Sequence, residues 1–293
     1  MTEQKVLRTL RGLYQIADAG EKGYATAASN MIVPALKILF KFYARQRLDF
    51  KNEILTELQR LGDESQPGVS IPGAVHRGRV AIFAGMSDQD GQERVVLREV
   101  TRGERAAERA YQKALARDLP EQTREMVERQ YREVSQAGAK VRCLRDDVQR
   151  RTAVRLAGSE QDTQQAVQTL VSAGIDPDEI ETLEINDDVL YEGRGATRAE
   201  IILSGIVGGA LWGGVMGVLA GFGVVTTTPI GPDQVVLAWL LTALAFTLIG
   251  GFISAVLAFF ISAGILGRDK YQTETIRENA RFLVQARTCS PAE

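Results

Sequence analysis

The most constraining feature of this sequence is a 67-residue stretch, residues 201–267, that contains a single charged side chain, Asp233. The other 226 residues hold 71 of the 72 charged side chains, so charge is strongly segregated along the chain. About 20 consecutive apolar residues already cross a bilayer as a helix. The stretch is therefore long enough for two membrane-spanning helices, and this excludes a purely soluble enzyme of one or two domains.

The apolar stretch divides into two predicted spans, residues 201–225 and 235–266, joined by a turn over 226–233. The turn has no Lys or Arg, whereas basic residues stand at the outer ends of both spans: Arg194, Arg198, Arg268 and Lys270. The positive-inside rule then places the flanking parts of the chain in the cytoplasm. The N-terminus lacks the apolar core of a signal peptide, which agrees with that placement. The alternative is a buried hydrophobic hairpin of a soluble protein.

Glycine recurs at every fourth residue of the first span, in the manner of a glycine zipper: Gly205, Gly209, Gly213, Gly217 and Gly221. Such a ladder leaves one helix face flat and lets another backbone approach closely. The face can pack against the second span of the same chain, and we expect it also to pack between protomers of a homo-oligomer. A conducting pore is disfavoured, because neither span carries an ionisable residue.

The first 150 residues show apolar side chains at steps of three and four, which is the period of amphipathic helices. Four helices are predicted: the first through Ala28, and the others over residues 34–61, 92–117 and 120–148. A long crossover around residues 70–91 joins the second helix to the third. This order predicts a four-helix bundle with a ferritin-like crossover.

Four strings within this region resemble a bacterial ferritin-like four-helix-bundle family of unassigned function. They are DAGEKGY (18–24), AVHRG (74–78), GERAAERAY (103–111) and VERQYREV (127–134). The resemblance covers about half of the chain and implies an all-α bundle over residues 1–150.

The rest of the soluble sequence changes character. Strands are predicted over 152–157, 179–185 and 281–287, and helices over 160–174 and 269–279. This order resembles the small split ferredoxin-like domain of bacterial general stress proteins, in which a glycine-rich hydrophobic hairpin interrupts the domain. The sequence thus predicts a multidomain membrane protein with four segments: a ferritin-like bundle (1–150), the first part of an α+β domain (151–200), a transmembrane hairpin (201–267) and the last part of that domain (268–293).

The ferritin-like resemblance implies a di-iron centre, in which two helices each give a Glu and two give a Glu-x-x-His pair. Glu21 and Glu104 are charged residues inside otherwise apolar stripes, as inward ligands would be. The full candidate metal set is Glu21, Glu53, Glu104, Glu108 and Glu133. The histidines depart from the pattern, since His76 is the only one and lies in the crossover, and Gly138 stands where the family places a His.

Three interpretations of these carboxylates stay open. Glu21 and Glu104 can bond to arginines or tyrosines as a buried polar cluster (Arg45, Arg47, Tyr24, Tyr43 and Tyr111). They can bind iron or another divalent ion without catalysis, or they can support ferroxidase-like chemistry, the one enzymatic activity that the sequence suggests. Iron is the only cofactor implied, and no catalytic residue is assigned.

Charge and cysteine content exclude further classes of protein. Residues 1–150 carry a net charge of +5, residues 151–200 of −7 and residues 268–293 of +1, so no segment is basic enough to predict a nucleic-acid-binding module. Cys143 and Cys289 lie far apart without a CxxC motif, so we expect neither a disulfide framework nor a zinc site, and a reducing compartment. The expected protein is a homo-oligomer of the bacterial inner membrane with cytoplasmic termini and a structural or stress-related role. Divalent-metal storage and a membrane-shaping scaffold are the alternatives.

Overall fold

The computed structural model describes residues 3–63, 77, 81, 89–146, 154–190, 196–227 and 232–286, and the statements below concern those residues. The chain forms two compact units. The first comprises Met1–Val69, Ser87–Gly195 and Arg268–Glu293, and the second comprises Ser70–Met86 and Ala196–Gly267.

Four long helices form the bundle of the first unit: α1 (Glu3–Asn30), α2 (Pro34–Arg60), α3 (Gln89–Leu115) and α4 (Glu121–Asp146). Helix α1 contacts α2 and α3, and α4 contacts α3 and α2, so the four helices close a ring. The apolar stripes meet inside that ring, where the core includes Leu10, Leu13, Phe50, Ile54, Leu58, Val127 and Val134. The predicted helices are therefore present, with ends within about three residues of the expected ones.

Sequence punctuation explains where these helices begin and end. Pro34 occupies the first turn of α2, where its missing N–H costs no hydrogen bond. Gly62 follows the C-terminus of α2 with φ of 79°, a left-handed conformation that favours glycine. Gly174, with φ of 87°, likewise follows the C-terminus of the helix Glu160–Ser172 in a left-handed conformation.

The small sheet contains β1 (Arg155–Ala157), β2 (Ile180–Glu184) and β3 (Phe282–Ala286), in the order β1-β3-β2. Strand β3 pairs antiparallel with both neighbours, so β1 and β2 run parallel, with helix α5 (Glu160–Ser172) as their crossover. Apolar side chains join α5 to the sheet: Ala157, Ala166, Leu170 and Val284. Strands β1 and β3 also contact α2, which attaches the sheet to the bundle within the same unit.

The apolar stretch forms helices α6 (Arg198–Thr227) and α7 (Pro232–Asn279). The sequence predicts a separate helix over 269–279, but those residues instead complete α7. Gly264 and Gly267 do not interrupt it, since the positive-φ glycines among the described residues are Gly62 and Gly174 alone. Without a left-handed residue or a proline to end it, the helix continues past the apolar stretch.

The crossover between α2 and α3 contributes to the second unit, which its sequence does not suggest. Ala81 is buried against the base of the hairpin, in a cluster with Ala196, Ile201, Ala258 and Ile265. Arg77 is also buried and donates a hydrogen bond to the Glu200 carboxylate in the first turn of α6. His76 lies outside the described residues.

Candidate functional site

The outer faces of α6 and α7 are apolar and exposed. Leu211, Trp212 and Phe252 are 68%, 70% and 72% exposed, and large apolar side chains surround them on both helices. Both helices are long and apolar enough to cross a membrane. In a soluble protein such helices would bury these side chains, so this exposure argues against the alternative of a buried hairpin.

The glycine ladder of α6 faces α7 of the same chain. A Cβ atom built on Gly205 would lie 2.7 Å from the Ala258 Cβ, and one on Gly217 would lie 2.7 Å from the Ala243 Cα. A Cβ on Gly209 would overlap the carbonyl oxygen of Gly250. Residues with increasing numbers along α6 contact residues with decreasing numbers along α7. The two helices therefore pack antiparallel, with their backbones in close contact.

The remaining ladder glycines are also covered by α7. Near the turn, the Trp239 indole covers Gly221 and donates a hydrogen bond of 2.9 Å to the Val218 carbonyl. Gly213 faces the backbone of Phe246. All five ladder glycines face α7 of the same chain, and packing between protomers stays a prediction.

A second candidate site is the polar centre of the bundle, where two of the predicted carboxylates are buried. Glu104 on α3 is 3% exposed and accepts hydrogen bonds of 2.9 and 3.1 Å from Nη2 of Arg47 on α2. This is the arginine pairing that the sequence left open as an alternative to metal ligation.

Glu21 on α1, also 3% exposed, has a cationic partner that the sequence did not suggest. The Lys51 ammonium group of α2 makes a short ion pair with the Glu21 carboxylate and lies 3.4 Å from a carboxylate oxygen of Asp18. Lys22 pairs with Asp18 at 2.6 Å on the same helix. Both inward carboxylates are therefore neutralised by cations from α2.

The position of Arg47 is built by its neighbours. A Cβ on Gly20 would lie 3.2 Å from the Arg47 Cγ, so glycine leaves the room through which the arginine stem passes. The guanidinium carbon lies 5.6 Å from the Tyr24 ring centroid and 5.3 Å from that of Phe50. Aromatic faces attract a cation at these distances, so Arg47 is held by packing as well as by Glu104.

The other three predicted ligands lie nearer the surface and also make ion pairs. Glu53 and Glu133 pair with Arg129, at 2.6 and 3.5 Å. Glu108 pairs with Arg142 at 2.8 Å. A Cβ at Gly138 would overlap the Glu108 carboxylate, so this glycine makes room for Glu108 on the neighbouring helix.

Amides and a tyrosine link these pairs into one network. Gln46 accepts a hydrogen bond from Arg47 and donates one to Glu133. On the other side, Gln130 donates to Glu53 and accepts from the Tyr111 hydroxyl at 2.9 Å. Hydrogen bonds of this network join α2, α3 and α4, and most of its buried polar atoms have partners, although the buried Arg47 Nε has none among the described residues.

Burial changes the acidity of three tyrosines in this region. It raises the pKa of Tyr24 well above its ordinary value, and the nearby Glu104 carboxylate adds to the effect. Burial also raises the pKa values of Tyr43 and Tyr111. The three phenols therefore stay protonated at neutral pH, and the Tyr111 hydroxyl donates its proton to the hydrogen bond with Gln130.

The donor set does not fit the di-iron centre that the resemblance implies. Across the described residues, His, Cys, Asp and Glu side chains nowhere form a group of three or more that could hold a metal ion. The oxygen atoms that would face a cation are instead directed at Arg47 and Lys51. The described residues include no histidine.

Two further features of the first unit were not predicted from the sequence. Lys37 on α2 is completely buried and pairs with Asp269 of α7 at 2.5 Å, while Ser29 donates a 3.0 Å hydrogen bond to the same carboxylate. Burial lowers the pKa of Lys37, against the opposing effect of Asp269. Cys143 is disulfide-bonded, contrary to the expectation of reduced cysteines.

Comparison with known proteins assigns part of the chain. Residues 5–117 match a family described as a domain of unknown function, DUF2383. The matched region contains α2 and α3 entirely and nearly all of α1, so it is helical and fits the bundle. A search of curated proteins gives no match to this chain.

Proposed function

We propose that this protein is anchored in the bacterial inner membrane by the α6–α7 hairpin and has a structural role. The bundle and the small sheet then lie in the cytoplasm. The observation that carries the proposal is the division of the hairpin into two kinds of surface. Its inner face is closed by glycines against a backbone, and its outer face presents large apolar side chains.

This division is what a lipid environment favours. Association of helices in a bilayer depends on close van der Waals packing of small residues, because lipid tails already solvate the apolar side chains. Two threonine hydroxyl groups of the second span donate to carbonyl groups of their own helix: Thr242 to Ala238 and Thr247 to Ala243. Unpaired polar groups would cost several kcal/mol in hydrocarbon.

The orientation in the proposal rests on charge. Arg198 begins α6, and Arg268 and Lys270 follow the apolar part of α7, whereas the connecting turn has no basic residue. The Arg198 guanidinium lies 5.7 Å from the Phe259 ring centroid, which suits a cation at the boundary of an apolar layer.

An arginine on the outer face tests the anchor. Leu211 and Leu248 are 68% and 64% exposed and lie near the middle of the two spans. In a membrane, Leu211→Arg or Leu248→Arg places a charge at the bilayer centre, at a cost of about 3 kcal/mol on insertion scales. We expect both variants to lower the fraction of protein that resists alkaline extraction from membranes.

In a soluble protein the same substitutions would increase solubility in water, because they replace an exposed leucine by a charged residue. Tyr271→Arg, at a site 75% exposed beyond the apolar stretch, is the matched control and should leave extraction unchanged. Wild-type protein recovered in the aqueous fraction, with Leu211→Arg more soluble and equally folded, would contradict the proposal.

We also propose that the protein forms a homo-oligomer. Since the ladder packs within the chain, copies would have to meet through the outer faces of the hairpin or through the soluble part. The mass of the wild-type complex in mild detergent, measured by light scattering with the detergent subtracted, tests this directly. A single copy per micelle at all protein concentrations would reject the oligomer and leave the anchor intact.

A further inference from the structure

We infer that the bundle carries its own cations, with Arg47 and Lys51 of α2 taking the place that metal ions occupy in ferritin-like bundles, so that the centre is metal-independent. This inference does not depend on the membrane anchor. It follows from which atoms the inward carboxylates contact.

The first step is the charge balance at Glu104. Its carboxylate and the Arg47 side chain are 4% and 2% exposed, so water does not screen the pair. An isolated charge in such a place would be strongly unfavourable, and a carboxylate there needs a cation within contact distance. Arg47 supplies that cation and fills the space beside the carboxylate.

The second step is the same balance at Glu21. Lys51 contacts Glu21 and approaches Asp18, so one ammonium group serves two carboxylates of α1. Lys51 follows Arg47 by four residues, which places both cations on one face of α2. The carboxylate charges that would neutralise metal ions are therefore already paired with Arg47 and Lys51.

The third step is how firmly Arg47 is fixed. Gly20, Tyr24 and Phe50 enclose its side chain, and Gln46 accepts a hydrogen bond from its second terminal nitrogen. A metal ion between Glu21 and Glu104 would have to displace this arginine from an aromatic enclosure.

The experiment begins with the full-length protein in mild detergent, purified from cells grown with added iron. We expect less than about 0.1 metal ion per chain by elemental analysis, and a melting temperature that stays within about 1 °C on adding EDTA, Mn²⁺ or Zn²⁺, because a ligand that does not bind the native state does not stabilise it. Near-stoichiometric metal that is lost in Glu21→Gln with Glu104→Gln would overturn the inference, as would a melting temperature lowered by EDTA.

Charge-matched variants test the counter-ion role itself. Glu21→Gln leaves the Lys51 charge without its main partner, and we expect the melting temperature to fall by about 5 °C or more. Adding Lys51→Gln removes that charge and should restore at least half of the loss. Glu128→Gln on the exposed side of α4 is the control and should change little.

Each outcome of the variant series decides. Recovery in the double variant supports the built-in cation, and a double variant no better than the single one contradicts it. If Glu21→Gln does not fold, the metal content and the EDTA response of the wild type still test metal independence.

Discussion

Gly208 and Gly209 are neighbours on α6 and meet opposite surroundings. A Cβ on Gly209 would overlap the Gly250 carbonyl and the Ser254 side chain, whereas a Cβ on Gly208 meets nothing within 4 Å. Gly209→Ala should therefore separate α6 from α7, and we expect thermal unfolding in mild detergent to occur at a lower temperature. Overpacking of this kind costs about 1–3 kcal/mol.

Gly208→Ala is the matched control, since it makes the same chemical change one residue away. It should be neutral or slightly stabilising, because alanine favours the helix by about 1 kcal/mol over glycine. Equal destabilisation by the two substitutions would show that the ladder does not pack as described.

The buried tyrosines predict how the bundle responds to alkali. Because burial raises the pKa of Tyr24 in the folded state, the unfolded chain releases that proton near pH 10 while the folded chain keeps it. The contribution of the buried phenol to the free energy of unfolding is therefore fully present below about pH 10. It falls as the pH rises further, by about 1.4 kcal/mol per pH unit for each such group.

Tyr24→Phe removes one of these protons. The variant's melting temperature should fall less steeply than that of the wild type between pH 10 and 11, with Tyr131→Phe, on the half-buried Tyr131, as a comparison. Identical slopes for Tyr24→Phe and wild type would mean that Tyr24 ionises in the folded protein.

The sequence predicts the inward positions of Glu21 and Glu104 correctly, because their place in the apolar stripe decides their burial. It leaves their partners open, with Arg47 among the candidates and Lys51 not. Arg47 fits the stripe of α2 between Tyr43 and Phe50 by steps of four and three, and this was the available signal. Lys51 carried none, since a long side chain reaches inward from the edge of a stripe.

Among elements, the end of α7 makes the clearest prediction. Residues 268–279 are held to the bundle by Asp269, whose carboxylate contacts Lys37 and Ser29. Asp269→Asn leaves a fully buried ammonium group without its counter-ion. We expect faster amide hydrogen exchange over 268–279 and a loss of about 3 kcal/mol in stability.

The double variant Asp269→Asn with Lys37→Met should slow the exchange again, because no charge is then left unpaired. Arg277→Gln breaks only the exposed pair with Asp187 and serves as control. Hydrogen exchange over 268–279 that is unaffected by Asp269→Asn would show that the Lys37–Asp269 ion pair does not hold this segment to the bundle.

The accuracy of the element predictions follows from their local causes. The bundle helices have stripes, a proline start and a glycine end, and their limits follow from the sequence. The attachment of the end of α7 to the bundle does not, because the pairing of Lys37 with Asp269 links residues 232 positions apart. The sheet order β1-β3-β2 is likewise set by long-range pairing, although the individual strands were predicted.

At the scale of the whole molecule, the segregation of charge predicts the hairpin, and the glycine ladder predicts a closely packed face. Neither predicts that the crossover between α2 and α3 belongs to the hairpin unit. That placement depends on Ala81 packing beside Ile201 and on Arg77 meeting Glu200. A single small residue and a single ion pair leave no periodic pattern.

The central claim is that the chain crosses the membrane twice, with the bundle and the small sheet on the same cytoplasmic side. The most direct measurement uses paired reporter fusions in living cells, with a fluorescent protein that matures only in the cytoplasm and a phosphatase that is active only outside it. We expect fluorescence from both termini and phosphatase activity from the turn at 226–233. Phosphatase activity from either terminus, or fluorescence from the turn, would contradict the account.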